Sequence, residues 1–183
     1  MKLSASECQL FFNIYYPLLF YTNQQRRIIP NIFTVDGLKR AHSAQLKVIR
    51  SIMYQQINLL DQFILKNPFH LSSDELDIVE SWKRSLSGRF FIFRETNYHT
   101  IFLSNIKPIK AYGVLALNKE FDEIFNEPLP IYIETVLIPF SDKIITDGIF
   151  SHYRLKFGSG FTRNLHKSYQ KAIDNEGIIT SLS

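Results

Sequence analysis

The chain has 183 residues, of which 14% are aromatic and 21% are charged, and its formal net charge at pH 7 is +4. This composition excludes disordered, collagen-like and low-complexity proteins, because such chains lack the apolar surface that offsets the entropy lost on ordering. The modest positive charge favours solubility and by itself identifies no partner.

Two features of the sequence concern its compartment. Cys8 is the only cysteine, so an internal disulfide is impossible and a reducing, cytoplasmic location is the simpler expectation. The longest apolar run covers residues 10–21 and is interrupted by Asn13 and Pro17. A helix that crosses a bilayer needs ~20 apolar residues, so we expect no transmembrane segment.

The first predicted element is an aromatic helix. Ser4 and Glu7 have the spacing of a capping box, in which a hydroxyl and a carboxylate bind the unpaired N–H groups at a helix start. Residues 10–21 follow, and 6 of them are aromatic. A helix that is apolar on all sides is either buried or covered by a partner. We expect this helix to lie in the core, and the alternative is a surface through which the protein forms a homo-oligomer.

The clearest helical pattern extends from Asp36 to Lys66 and ends at Pro68. Its apolar side chains fall on one half of a helix that turns by about 100° per residue, which predicts one long amphipathic helix. The other half carries four basic residues, Lys39, Arg40, Lys47 and Arg50. Such a stripe suits the phosphates of a nucleic acid, an anionic membrane surface or the carboxylates of an acidic protein. An ordinary solvated helix face is the simpler interpretation.

The second half of the chain predicts a sheet. A short helix over Ser73–Ser85, with Ser72 or Ser73 as its cap, is followed, from Gly88 onward, by runs of β-branched and aromatic residues that are typical of strands. The predicted strands are 90–94, 99–103, 112–117, 131–138, 143–150 and 152–157, with a short helix at 118–125. A last helix over 161–175 ends before Gly177, a residue that suits the position after a helix.

Helices followed by clustered strands indicate an α+β fold rather than alternating βαβ units. We predict a single domain of residues 1–183, with a helical layer over 1–87 and a β-rich part with a C-terminal helix over 88–183. The N-terminal helices, one of them long and amphipathic, are expected to pack on a five- to six-stranded, mainly antiparallel sheet or small barrel. The sequence does not separate an open sheet from a barrel.

One candidate site is the turn Gly158–Ser159–Gly160 before the last helix. Glycines at a helix start let backbone N–H groups approach an anion, and the helix dipole favours its charge. Arg163 and Lys167 lie in the first turns of that helix and would add positive charge. The pattern lacks the Lys-Ser/Thr pair of a phosphate-binding loop, so a tight strand-to-helix turn is the simpler interpretation.

A second candidate consists of charges inside predicted strands. Arg94 and Glu134 each occur among apolar residues, and a charge in such surroundings is costly unless it is paired. We therefore expect Arg94 and Glu134 to face each other or another partner. In a catalytic interpretation Glu134 or Asp147 is a base, with His99 nearby. A purely structural ion pair is the favoured alternative.

Other chemistry has little support in the sequence. The five histidines are scattered, and no metal-ligand spacing or nucleophile motif is present, so we expect no metal and no cofactor. The leading hypothesis is a non-enzymatic binding protein whose basic helical faces contact an acidic protein or a nucleic acid. The alternative is an enzyme that acts on a phosphate-bearing substrate bound at Gly158–Gly160.

Overall fold

The computed structural model describes residues 1–182. Within this range the chain forms seven α-helices and seven strands, which is an α+β fold with a C-terminal helix, as predicted. The backbone divides into two compact units, a helical unit of residues 4–83 and a β unit that combines residues 1–3 with the chain from Arg84 onward. Each unit is described by itself below.

The helical unit begins with α1, Ala5–Arg26. The predicted capping box is confirmed, because Ser4 Oγ accepts from the N–H of Glu7 at 3.3 Å and the Ser4 N–H donates to Glu7 Oε2 at 2.9 Å. Pro17 lies inside the helix without ending it. Its buried residues are Cys8, Phe11, Ile14, Tyr15, Leu18, Leu19, Tyr21, Thr22 and Asn23.

The prediction of one long helix over 36–66 is wrong, because this segment forms three helices. These are α2 (Val35–Lys39), α3 (Ser43–Gln55) and α4 (Asn58–Lys66). The first break comes where the His42 N–H bonds to Gln45 Oε1 at 3.2 Å and starts a new helix. The second comes at Gln56, whose φ of −116° and ψ of 73° leave the helical region. Neither break has a proline or glycine, the residues by which helix ends are recognised in a sequence.

The helical unit ends with α5, Ser73–Ser81, which begins at the predicted cap Ser72. The helix is shorter than predicted because a 3₁₀ turn, Trp82–Arg84, follows it. Trp82 is fully buried, and its ring lies 5.6 Å from that of Phe11 and 5.9 Å from that of Tyr15. Aromatic rings at these centroid distances attract one another beyond their burial, so this group anchors α1 within its unit.

The β unit contains a closed barrel. Its strands are β1 (Leu86–Glu95), β2 (Thr100–Ser104), β3 (Ala111–Leu115), β4 (Ile131–Phe140), β5 (Lys143–Thr146), β6 (Ser151–Tyr153) and β7 (Ile178–Ile179), with helix α6 (Phe121–Phe125) between β3 and β4. The strand order is β1-β2-β3-β5-β4, and β1 also pairs with β4, which closes the ring. Most pairs are antiparallel, and β3 is parallel to β5 and β7.

Strand β1 contains a bulge, and its side chains contribute both to the inside of the barrel and to an outer face that a helix covers. Phe90 and Ile92 belong to the barrel core, and the register shifts between Ile92 and Arg94. Helix α7, Ser159–Glu176, covers the outer face of β1, β2 and β3. In this layer Leu165 and Ala172 of α7 are buried with Phe93, Ile101, Leu103 and Ala111. The helix thus covers the outer face of β2 and β3.

Candidate functional site

A second outer face of the barrel, formed by β1, β4 and β6, carries a row of aromatic rings. Strand register places Phe91 opposite Tyr132, and Tyr132 opposite Tyr153. Because paired residues of neighbouring strands lie on the same side of a sheet, the three rings form a row across the strands. The ring centroids are 4.6 Å apart for Phe91 and Tyr132, and 5.4 Å apart for Tyr132 and Tyr153.

Two further rings extend this row, Phe157 from the segment that joins β6 to α7 and Phe161 from the first turn of α7. Phe157 and Phe161 stack with their centroids 4.6 Å apart, and Phe161 lies 5.5 Å from Phe91. We call the five residues Phe91, Tyr132, Tyr153, Phe157 and Phe161 the aromatic surface. Four of them are half-buried, and Phe161 is 41% exposed. Phe161 is therefore the most exposed ring of this surface, whereas Phe91 also packs against the layer beneath α7.

A charged group accompanies the rings. The guanidinium carbon of Arg89 lies 5.4 Å from the centre of the Tyr153 ring, and Arg89 Nε is 3.5 Å from Glu134 Oε2. The Tyr153 hydroxyl donates to the same oxygen at 3.0 Å. Tyr153, followed by the hydroxyl of Tyr132, raises the pKa of Arg89 above its ordinary value. Arginine is protonated at neutral pH in any surroundings, so Arg89 is a cation on the aromatic surface.

Arg94 does not face Glu134, and the structure shows the second expected alternative, in which Glu134 faces another partner, Arg89. The two residues are direct partners in the β1–β4 ladder. The bulge after Ile92 changes the alternation of β1, so Arg94 lies on the side of α7, where its guanidinium carbon is 5.9 Å from the Tyr169 ring centre. A bulge of this kind is not visible in a pattern that assumes strict alternation.

Further polar groups border the aromatic surface. Asn105 donates from Nδ2 to the Tyr132 hydroxyl at 2.9 Å, which orients that ring. Lys107 is exposed in the same β2–β3 loop, and Arg154 and Lys156 are exposed in the segment after β6. Three lysine and arginine side chains therefore lie in segments adjoining the rings, in addition to Arg89.

A cavity of about 560 Å³ lies where β6 ends and β4 begins. Tyr153, the last residue of β6, belongs to its lining. The loop between α6 and β4 contributes Glu127, and β6 contributes His152, whose Nε2 lies 3.2 Å from Glu127 Oε2. Arg154 and Lys156 line the cavity as well. The row of rings thus ends at a concave site with charges of both signs.

The structure places the predicted glycine turn at the exposed start of α7. Gly158 is the N-cap with a φ of −75° and a ψ of 162°, and Ser159 and Gly160 open the helix. A Cβ added at Gly158 or Gly160 would meet nothing within 4 Å, so neither the backbone nor the packing requires glycine there. Arg163 and Lys167 are exposed on the same helix. Anion binding at this turn stays a prediction.

The basic stripe predicted on the long helix is not one exposed surface. Lys39 and Arg40 are exposed at α2, whereas Lys47 is half-buried on α3 and Arg50 is only 2% exposed. The Lys39 ammonium is also 2.9 Å from Asp36 Oδ1. The stripe assumed one continuous helix, and the break between α2 and α3 removes the geometry that would align these four residues.

The two proposed catalytic carboxylates lie in different surroundings. Glu134 is on the outer face of β4 beside Arg89, whereas Asp147 is 4% exposed and accepts from the Ile149 N–H at 3.0 Å. His99 packs over β3, where its ring Cγ would lie 2.9 Å from a Cβ added at Gly113, and burial lowers its pKa. The structure does not gather these groups at one reaction centre.

Sequence reasoning missed the aromatic surface. The sequence pattern that could have indicated it is the spacing of two residues between Arg89 and Phe91 and between Tyr132 and Glu134, which places both members of each pair on the same face of a strand. Only the register of β1, β4 and β6 shows that these pairs, and Tyr153, share one face. The pairing partners of a strand that closes a barrel are not local in sequence.

The part of the chain that the structure describes contains neither a helix that could span a membrane nor a cluster of metal-binding side chains. No helix within residues 1–182 has the length and apolar character to cross a bilayer. Over the same residues, histidine, cysteine and carboxylate side chains do not come together in groups of three or more that could hold a metal ion. Comparison of the chain with protein-family models, curated proteins and solved structures returns no match.

Proposed function

We propose that the protein binds single-stranded nucleic acid on the aromatic surface and catalyses no reaction there. The observation that carries this proposal is the row of Phe91, Tyr132 and Tyr153 across three strands, with Arg89 beside it and Phe161 extending it. Unpaired bases have open π faces, and they stack on aromatic side chains whatever their sequence. Barrel connectivity alone would not support this function, since such architectures serve many.

The charges near the rings favour a polyanion. Arg89 lies over the Tyr153 ring, Lys107 lies in the loop that orients Tyr132, and Arg154 and Lys156 follow Tyr153 in the chain. Cations that flank stacking rings hold the phosphates of a strand whose bases lie on those rings. Glu134 opposes this attraction, but its Oε2 is engaged by Arg89 and by the Tyr153 hydroxyl.

This proposal moves the binding site from the basic helices to the barrel. The hypothesis of contact through Lys39, Arg40, Lys47 and Arg50 loses support because Arg50 is buried and because the break between α2 and α3 removes the continuous stripe. An acidic protein partner would use the cations but would not require a row of rings. An enzyme acting on a phosphate-bearing substrate at Gly158–Gly160 would require Glu134 or Asp147 as a base. Asp147 is buried at the end of β5, and Oε2 of Glu134 is engaged by Arg89 and by the Tyr153 hydroxyl.

Fluorescence anisotropy with labelled oligonucleotides of about 12 residues, as DNA and as RNA, tests the proposal. We expect binding that weakens as salt rises, because phosphate contacts release counterions. Tyr153→Leu and Phe161→Leu should each weaken binding by about fivefold to a hundredfold, the range for the loss of one stacked base. Tyr98→Leu is the matched control, because Tyr98 is 73% exposed in the β1–β2 turn, outside the aromatic surface.

Two results would overturn the proposal. One is the absence of binding to both DNA and RNA at low salt by wild-type protein that a thermal unfolding transition shows to be folded. The other is an equal loss of affinity in Tyr98→Leu and Tyr153→Leu. That result would mean that exposed aromatic residues contribute to binding whether or not they belong to the aromatic surface. Binding of an acidic polypeptide in competition with the oligonucleotide, unaffected by the ring substitutions, would favour the acidic-protein hypothesis.

A further inference from the structure

The cavity at the end of the β4–β6 ladder is the strongest feature that the proposed function leaves unused. Two backbone segments line it, the α6–β4 loop Glu127–Pro130 and the segment Arg154–Phe157 after β6. Its volume of about 560 Å³ lies in the range of sites that hold small molecules, about 300–1,000 Å³. Since Tyr153 belongs both to this lining and to the aromatic surface, a strand laid along the rings reaches the cavity at one end of the row.

The lining combines an apolar part with charges of both signs. Leu129, Pro130 and Phe157 offer apolar contact to the flat face of a base. Arg154 and Lys156 supply two cations from the other segment. Glu127 is a carboxylate in the same lining and opposes the binding of an anion, so the two cations have to outweigh it. A nucleotide, which is apolar on its base faces and anionic at its phosphate, matches this combination.

The two cations favour the end of a strand over its interior. A phosphate diester within a strand carries one negative charge, whereas a terminal phosphate monoester carries between one and a half and two at neutral pH. Arg154 and Lys156 are two residues apart and both are exposed, so they can meet the second charge that only a terminal phosphate has. Charge-assisted bonds of this kind are among the stronger polar contacts.

We propose that this cavity takes the terminal nucleotide of the bound strand and that Arg154 and Lys156 bind its terminal phosphate. This inference rests on the proposed function, since it assumes a strand on the aromatic surface. It adds that the protein distinguishes phosphorylated ends from hydroxyl ends and from continuous strand. Such a property would direct the protein to the products of nucleases that leave a phosphate on the end in question.

The test compares four forms of one oligonucleotide sequence by fluorescence anisotropy, namely a 5′-phosphate, a 3′-phosphate, two hydroxyl ends and a covalently closed circle. We expect a phosphate at one of the two ends to tighten binding by about fivefold over the hydroxyl-ended form. The circle should bind as the hydroxyl-ended form does. In the double variant Arg154→Ala/Lys156→Ala the four forms should bind alike, whereas Lys119→Ala, an exposed lysine outside the cavity lining, should keep the preference.

The outcomes separate this inference from the proposed function. If all four forms bind the wild-type protein with equal affinity, the inference is overturned and the proposed function stands. A preference that persists in the double variant also overturns it, because the phosphate is then recognised elsewhere. If none of the forms binds at low salt, the proposed function itself fails, and the inference fails with it.

Discussion

Arg89 and Tyr153 are held together on the outer face of the barrel, with the guanidinium carbon 5.4 Å from the centre of the ring. Both side chains also reach Oε2 of Glu134, Arg89 through Nε at 3.5 Å and Tyr153 through its hydroxyl at 3.0 Å. The carboxylate therefore fixes the cation and the ring in one arrangement. A ligand that stacks on Tyr153 meets a positive charge whose position is already set.

Replacement of Glu134 by glutamine separates its structural from its electrostatic effect. Because the Arg89 and Glu134 side chains are 53% and 32% exposed, the substitution should leave the midpoint of thermal unfolding nearly unchanged. Loss of the negative charge should strengthen oligonucleotide binding by about twofold to fivefold. Glu95→Gln, an exposed carboxylate at the end of β1, is the control. Equal effects of the two substitutions on affinity would contradict a role for Glu134 at the site.

The closest packing against a glycine in the barrel lies at Gly113 of β3. A Cβ added there would lie 2.9 Å from Cγ of His99 and 3.0 Å from the Ile178 side chain, so the neighbours would have to move. We expect Gly113→Ala to lower the free energy of unfolding by about 1–3 kcal/mol, as overpacking does. Gly88→Ala in β1 would place its Cβ 3.5 Å from the Phe90 ring, an ordinary contact, and should cost less than about 1 kcal/mol. Urea unfolding of both variants checks the contrast, and equal losses would contradict it.

Helix α7 should contribute substantially to the stability of the β unit. Leu165 is 4% exposed in the layer between α7 and the outer face of β1–β3. Leu165→Ala should therefore cost about 2–4 kcal/mol, as the truncation of a buried leucine does. Leu155→Ala is the matched control, since Leu155 is 54% exposed and its loss should change stability by no more than about 0.5 kcal/mol. A small effect at Leu165 would mean that α7 is loosely held.

The stability of the protein should depend on the protonation of His99. Burial lowers the pKa of His99 from 6.5 in the folded state, so the unfolded chain binds more protons just below that pH. Stability from this group is therefore complete above about pH 6.5 and is lost as the pH falls towards and below the folded pKa. Thermal unfolding between about pH 5 and 7.5 should show a smaller decrease in His99→Gln than in the wild type. An identical decrease in both would contradict the assignment to His99.

Local elements of the fold were predictable, and their long-range relations were not. The caps at Ser4 and Ser72, the strands and the end of α7 before Gly177 follow from spacings within a few residues. Closure of the barrel depends on β1 pairing with β4 and on β3 lying parallel to β5, and no local pattern encodes these pairings.

The same limit applied to the candidate site. Basic residues stand out in a sequence, and they directed attention to a helix that the structure divides into three. In the sequence, the residues of the aromatic surface indicate only that strands are present. Aromatic residues occur on both faces of a strand, so they do not show which face lies inside the barrel. Only the strand register shows that Phe91, Tyr132 and Tyr153 lie on one face of the sheet.

The central claim, that a single strand binds on the aromatic surface, is tested most directly by two-dimensional NMR. Isotope-labelled protein would be titrated at low salt with an oligothymidylate of about ten residues. We predict that chemical-shift changes concentrate at Arg89, Phe91, Tyr132, Tyr153 and Phe161. Changes confined to α2 and α3, around Lys39 and Arg40, would contradict this account and return the site to the basic helices. The absence of any change at low salt would contradict it as well.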